Sequence, residues 1–232
     1  MKKAILYAFR HSLPVFISFV PVGLAYGILM QNAGFDFLFT GVCSLFVFAG
    51  SLQYLMVSFF TGTVSLLTVV VMTLLLNSRI MFYGLSFVEK FRSFGGWKYF
   101  LIHTLVDESY SLHCAHDFDP DVPEKWAFVF TAAFVWAYWV VLSVLGALLG
   151  SFLPFDLTGI DFALTALFVV IFIEQFKSAK SRLPAVFAVF SSLLCLLIFG
   201  TDGFLLPSLM ITVVLLVVFR GRIEPPKPEV TQ

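Results

Sequence analysis

Charge is what this chain has least of. Only 12% of its 232 residues are charged, against roughly 25% in a soluble domain. With 60% hydrophobic residues and a mean hydropathy of +0.99, this excludes a soluble globular fold and defines a polytopic membrane protein. The formal net charge is zero and the charges bunch at the ends of apolar runs, so the balance offers no basis for a nucleic-acid partner. Cysteine is also scarce: Cys43, Cys114 and Cys195 are odd in number and widely spaced, which argues against a disulfide framework and for buried thiols. There is no Gly-x4-Gly-Lys-Ser/Thr loop, so the chain cannot itself hold ATP in the P-loop manner. No small-x-small cleavage site follows Lys2, Lys3 and the apolar run from Leu13, and the N-terminus reads as an uncleaved first helix.

What is present in quantity is apolar sequence in runs near the ~20 residues needed to span a bilayer. They fall near 13–30, 37–61, 64–88, 126–152, 162–176, 184–200 and 204–219. The expected fold is all-α, with about seven transmembrane helices. Residues 1–222 form a single transmembrane domain, and 223–232, with Glu224-Pro-Pro-Lys-Pro228, a short cytoplasmic tail. Lys2, Lys3 and Arg10, then Lys125, then Lys177, Lys180 and Arg182, then Arg220 and Arg222 form basic clusters, whereas 31–36, 153–161 and 201–203 contain no Lys or Arg. By the positive-inside rule the clusters are cytoplasmic and both termini lie inside. This leaves a conflict: three spans from a cytoplasmic start put 89–98 outside, although it carries Lys90, Arg92 and Lys98. Either 99–116 crosses despite Asp107 and Glu108, or one apolar stretch is re-entrant or broken. A weak internal echo, Gly34-Phe-Asp-Phe37 against Gly159-Ile-Asp-Phe162, would suit a parallel duplication.

The candidate functional residues are polar or backbone-breaking groups inside these runs. Pro21 removes a helical hydrogen bond and can leave carbonyls near Ile17 and Ser18 free for a ligand, or simply kink the helix. Gly23 and Gly27 share one helix face, as do Gly146 and Gly150, and such pairs let another helix approach closely. In Ala49-Gly50-Ser51 the small residues either admit a neighbouring helix or let the backbone unwind. Gln53 supplies a neutral donor and acceptor that suits a zwitterion or hydrogen-bonds another helix. Thr73 and Asn77 share a face, while Arg79 points elsewhere, where it snorkels, pairs with a carboxylate or anchors a substrate carboxylate.

Asp107 and Glu108 fall among polar residues at helical spacing, with His103, Asp107 and Ser111 on one side and Thr104 and Glu108 on another. They are either coupling acids at membrane depth or solvated acids of an interfacial helix. Glu174 and Lys177 read as a surface pair. His113-Cys-Ala-His116-Asp117 has metal-ligand types without a second spaced cluster. Asp117-x-Asp119-x-Asp121 imitates a calcium loop, but Val122 replaces the Gly and Phe128 the Glu that such a loop needs. It reads better as a polar turn leading to Pro123.

Taken in order, Pro21-x-Gly23 with Gly27, Phe48-Ala-Gly-Ser-Leu-Gln-Tyr54, Asn77-x-Arg79, Asp107-Glu108 and Gly159-Ile-Asp-Phe-Ala163 resemble the AzlC family, the large subunit of bacterial branched-chain amino acid exporters. The family pattern reads Asn-x-Arg-His after the third span, and Ile80 here stands in the His place. The resemblance implies a small hydrophobic AzlD partner and export of leucine, isoleucine, valine and sometimes methionine across the bacterial inner membrane, with no cofactor. On that reading Pro21, Gly23, Gly27, Gly50, Ser51, Gln53, Asn77 and Arg79 serve the substrate, and Asp107 or Glu108 couples export to protons. Two other classes compete: a channel or permease for another small solute, whose flux neither saturates nor follows pH, and a membrane enzyme built on residues 113–121.

Overall fold

The computed structural model describes residues 1–62, 64–115, 122–152 and 182–219, together with 169, 172, 173, 176 and 177. Among them are the helices α1 (Lys2–Asn32), α2 (Phe37–Phe46), α3 (Gly50–Thr61), α4 (Leu66–Ser93), α5 (Trp97–His103), α6 (Asp107–Cys114), α7 (Glu124–Phe152), α8 (Leu183–Gly203) and α9 (Leu205–Val218). They fall into two compact units, Met1–Val64 with Leu76–Leu164, and Ser65–Leu75 with Thr165–Gln232.

The first unit is built on α1 and α7, which are apolar and long enough to cross a membrane. Phe9 meets Phe134, Ser12 Oγ lies 3.2 Å from Tyr138 Oη, Gly23 meets Leu142 and Gly27 meets Ser143, so the two helices run parallel. At the crossing their backbones nearly touch. A Cβ on Gly27 would fall 2.1 Å from the Ser143 carbonyl oxygen, and one on Gly146 2.3 Å from that of Leu24. The close approach expected of these small pairs is what they provide, since backbone contact is possible only where no side chain intervenes. Pro14 and Pro21 stay within one continuous α1.

At its far end α1 stops in a Schellman turn: Gly34, at φ +89°, donates to the Gln31 carbonyl and Phe35 donates to that of Met30. Asp36 then caps α2 by accepting from the Phe39 N–H at 2.8 Å. The Gly-x-Asp of the internal echo is thus a helix exit followed by a helix entry, while its second copy, at 159–162, lies outside the described residues.

Instead of one span, 37–61 is two short helices that fold back. Gly41 packs on Val144, and the Leu45 carbonyl accepts from Trp136 Nε1 at 3.2 Å, so α2 descends along α7. After a break at 47–49, α3 climbs again. Gly50 sits against Trp139 and Tyr54 Oη donates to the Val22 carbonyl, while Phe60 returns to Phe35 and Phe39 with ring centroids 5.2 and 5.8 Å apart. This is a re-entrant hairpin entering from the end where α1 finishes.

A second hairpin enters from the other end. Residues 76–93 of α4 lead to a cluster of Phe87, Phe91, Phe94, Leu101, Leu105, Phe128, Val129 and Ala132, and Lys90 Nζ pairs with Glu124 at the start of α7. From there α5 rises, with Trp97 against Trp126 and Phe100 against Trp136, until His103 Nε2 reaches the Leu45 carbonyl at 3.1 Å. After a break at 104–106, α6 goes back: Tyr110 stacks on Tyr83, His113 on Phe128, and the Leu112 carbonyl meets His11 Nε2 at 3.2 Å.

The charge conflict dissolves with this topology. Lys90 lies at the same end as Glu124 and the start of α1, so Lys2, Lys3, Lys90, Arg92, Lys98 and Lys125 are gathered at one end, while residues 31–36 at the other carry no Lys or Arg. Of the expected runs, 13–30, 126–152 and 184–200 are helices long enough to span, and 64–88 lies in α4, bent by 52° between Leu66–Ser78 and Ile80–Ser93. The run 204–219 is the shorter α9. Most of 162–176 and all of 223–232 lie outside the described residues.

In the second unit α8 and α9 pack antiparallel. Ser191 Oγ bonds Thr212 Oγ1 and Phe187 meets Phe219, while Gly200, at φ +71°, kinks the end of α8.

Candidate functional site at the hairpin tips

A helix broken at membrane depth exposes N–H and carbonyl groups that water cannot reach, so each must find a partner or serve a ligand. The first tip shows how this is met. In an unbroken helix the Ala49 N–H would bond the Leu45 carbonyl; here it donates to Gln53 Oε1 at 3.2 Å, and the Leu45 carbonyl is taken by Trp136 and His103. Gln53 is fully buried. Its Oε1 also accepts from Trp139 Nε1 at 2.8 Å, and its Nε2 donates to Ser44 Oγ at 3.2 Å. The side chain therefore ties α2, α3 and α7 together at the break. Phe48 holds φ +38°, a conformation costing a non-glycine residue about 1–3 kcal/mol.

The wall beside Gln53 is aromatic. Tyr26 is buried between Trp139, stacked at 5.9 Å, and Tyr54, edge-on at 5.5 Å. Its hydroxyl is close to the Gln53 amide yet makes no hydrogen bond of proper geometry.

The second tip is closed by a hydroxyl. Ser109 Oγ accepts from the Val106 N–H at 2.9 Å and donates to the Thr104 carbonyl at 2.7 Å. Thr104 Oγ1 in turn donates to the Phe100 carbonyl at 2.8 Å. Asp107 and Glu108 occupy the first turn of α6, half-buried, where negative charge complements the helix dipole. Trp136, which bonds the Leu45 carbonyl and meets the Phe100 ring of α5, stands roughly 18 Å along α7 from its start, a distance comparable with half of a ~30 Å hydrocarbon core.

The structure thus brings Gly50, Ser51 and Gln53 to one tip and Asp107 and Glu108 to the other. Gly23 and Gly27 lie in the α1–α7 crossing. Pro21, with Ile17 and Ser18, faces outward, opposite to buried Phe19, Gly23 and Tyr26. Asn77 is half-buried beside the bend of α4 and is not among the hydrogen-bond partners of Gln53. The Arg79 side chain, His116, residues 117–121 and Glu174 lie outside the described residues. A cavity of about 440 Å³ opens at the basic end, lined by Lys3, Tyr7, Arg10 and His11, away from the tips.

Sequence reasoning missed Tyr26, Ser44, Trp136, Trp139 and Ser109, and treated His103 only as part of a polar stripe. A signal was available in α7: Trp136 and Trp139 are one turn apart in an apolar helix, and each indole N–H buried there needs an acceptor from elsewhere.

Helices long and apolar enough to span a bilayer, broken by hairpins whose tips meet at depth, define a polytopic helical membrane protein with the build of a transporter. The profile of the AzlC protein family matches residues 14–153, and the chain belongs to that family. It is 34% identical over 217 residues to the branched-chain amino acid transport protein AzlC of Bacillus subtilis (strain 168), covering 94% of this chain and 85% of that protein. It is 36% identical over 203 residues to an uncharacterized membrane protein of Haemophilus influenzae, covering 87% and 83% of the two chains. A Helicobacter pylori (strain 26695) membrane protein is 33% identical over 223 residues, covering 96% and 97%. No solved structure matches the chain.

Proposed function

We propose that this chain is the large subunit of a two-component secondary transporter that exports branched-chain amino acids across the bacterial cytoplasmic membrane. The observation that carries this reading is the meeting of the hairpins: His103 of the second reaches the Leu45 carbonyl and the Phe48 ring of the first, beside Trp136. A zwitterion with an apolar side chain needs three things at such a point. The amino-terminal turn of α3, at Gly50 and Ser51, offers a positive dipole end to a carboxylate. Asp107 and Glu108 offer negative charge to an ammonium group or a proton. Phe48 and the neighbouring aromatics offer apolar surface. The Bacillus subtilis relative, which bears branched-chain amino acid transport in its name, supports the substrate class. The basic end of the first unit is cytoplasmic by the positive-inside rule. The chain acts as a transporter and not as an enzyme, with a small AzlD-type membrane subunit as partner and proton entry through Asp107 or Glu108 as the driving step.

The test is efflux of preloaded labelled leucine from vesicles carrying the chain and the small subunit, with and without an imposed pH gradient. Efflux that saturates and accelerates with the gradient is expected. Flux that neither saturates nor follows the gradient would establish the channel reading instead.

A further inference from the structure

We propose that the two hairpins are the two gates of the transport path, arranged as an inverted repeat, and that His103 is the positioning residue that latches one gate to the other through the Leu45 carbonyl. The inference rests on the transport reading and adds to it which parts move. The order of elements carries the first part. Helix α1 leaves the basic end and is followed by a hairpin that enters from the opposite end; residues 76–93 of α4 run towards the basic end and are followed by a hairpin that enters from there. A long helix and a half-depth hairpin occur twice with the ends exchanged, the arrangement by which inverted repeats place a site at the midplane and open it to either side.

The hydrogen bonds carry the second part. Each tip closes its own broken backbone: Gln53 takes the Ala49 N–H on the first, and Ser109 takes the Val106 N–H and the Thr104 carbonyl on the second. These three groups are thus met within their own hairpins. A link between the tips is the His103 hydrogen bond to the Leu45 carbonyl, with the Phe48 ring tilted over the imidazole at 6.4 Å. That carbonyl keeps a second donor, Trp136 Nε1 at 3.2 Å, from α7. When His103 lets go, the Leu45 oxygen stays bonded to Trp136, so the gates can part without leaving that acceptor unpaired. The His103 ring is also exposed at the level of Trp136, where an exposed imidazole belongs in a watered path and not in lipid.

The test uses the full chain with its small subunit, Cys43, Cys114 and Cys195 replaced by serine, and Phe48→Cys with His103→Cys introduced as a pair. Oxidation should join the two thiols and lower leucine efflux at least tenfold, and reduction should restore it. A joined protein that transports like the reduced one, or thiols that never join, would overturn the proposal. If the reduced pair is already inactive, the rate of joining is read instead: saturating leucine should change it at least twofold, and an unchanged rate overturns the latch. Singly, His103→Gln, which keeps a donor, should retain more of the maximal rate than His103→Leu at equal membrane abundance, and equal losses would contradict the donor role. Efflux by the parent separates the two claims, because a parent that moves no leucine refutes the transport reading, whereas an active parent with an indifferent cross-link refutes the gates.

Discussion

The two hairpins do the same geometric job with different chemistry. The first, α2–α3, is neutral at its tip and tightly held: Gln53 is fully buried, satisfied on both sides, and tied to α7 through Trp139, with Trp136 holding the carbonyl of Leu45. The second, α5–α6, closes its break with the Ser109 hydroxyl and sets two half-buried carboxylates at the start of α6. A neutral amide can hold a break shut in a low-dielectric setting without a charge to compensate, whereas carboxylates at that depth are expensive unless they exchange protons or bind cations. On the proposed reading, the first tip is fixed architecture and the second carries the ion chemistry.

The comparison can be broken most severely by removing the support both hairpins share. Gly27→Ala drives a methyl group into the Ser143 carbonyl of α7. We expect a loss of about 3 kcal/mol, seen as a collapse of membrane abundance and of thermal stability in detergent, with both tips lost together. Gly84, which has nothing within 4 Å of a Cβ, is the control, and Gly84→Ala should leave abundance unchanged.

Next in size is the first tip. Gln53→Leu strands the Ala49 and Trp139 N–H groups, at about 1–3 kcal/mol for each buried donor left unmade. Both stability and transport should fall, and a variant that keeps full stability but loses transport would make Gln53 a substrate ligand before it is a structural one.

The second tip should respond in the opposite way. Asp107→Asn and Glu108→Gln, made singly, should leave abundance near that of the parent. In one of the two, the response of leucine efflux to a pH gradient should vanish while exchange of leucine persists. If both still follow the gradient, the carboxylates are not the coupling site. Ser109→Ala in turn strands the Val106 N–H and the Thr104 carbonyl, at about 1–3 kcal/mol for each buried group left unmade. Its signature is a drop in detergent melting temperature comparable to that of Gln53→Leu, with the gradient response intact.

Much of the scaffold was legible in the chain. Runs of sufficient length marked α1, α7 and α8, and the four-residue spacing of Gly23 and Gly27, and of Gly146 and Gly150, announced a close helix crossing. The unwinding at Ala49-Gly50-Ser51 was open as an alternative, and the misplaced charge at 89–98 said that something between α1 and α7 did not cross. What could not be read was which stretch turned back. The run 37–61 has the length and apolarity of an ordinary span, with no proline at 47–49 to break it. The groups that make its break tolerable, Trp136, Trp139 and His103, lie more than fifty residues away in the chain, beyond any local pattern. The same reason hid the structural task of Gln53, whose neutral amide in an apolar run looks alike whether it binds a ligand or a backbone N–H.

The central claim, that the hairpins enter from opposite sides, is tested most directly by labelling single cysteines in a cysteine-free chain with a membrane-impermeant maleimide added outside intact cells. The positions are Asn32→Cys before α2, Thr61→Cys after α3 and Gly96→Cys before α5. Labelling at both Asn32 and Thr61, with Gly96 reached only after permeabilisation, is the predicted result. Labelling at Asn32 but not at Thr61 would mean that α2 and α3 cross the membrane as one span, and would contradict the account.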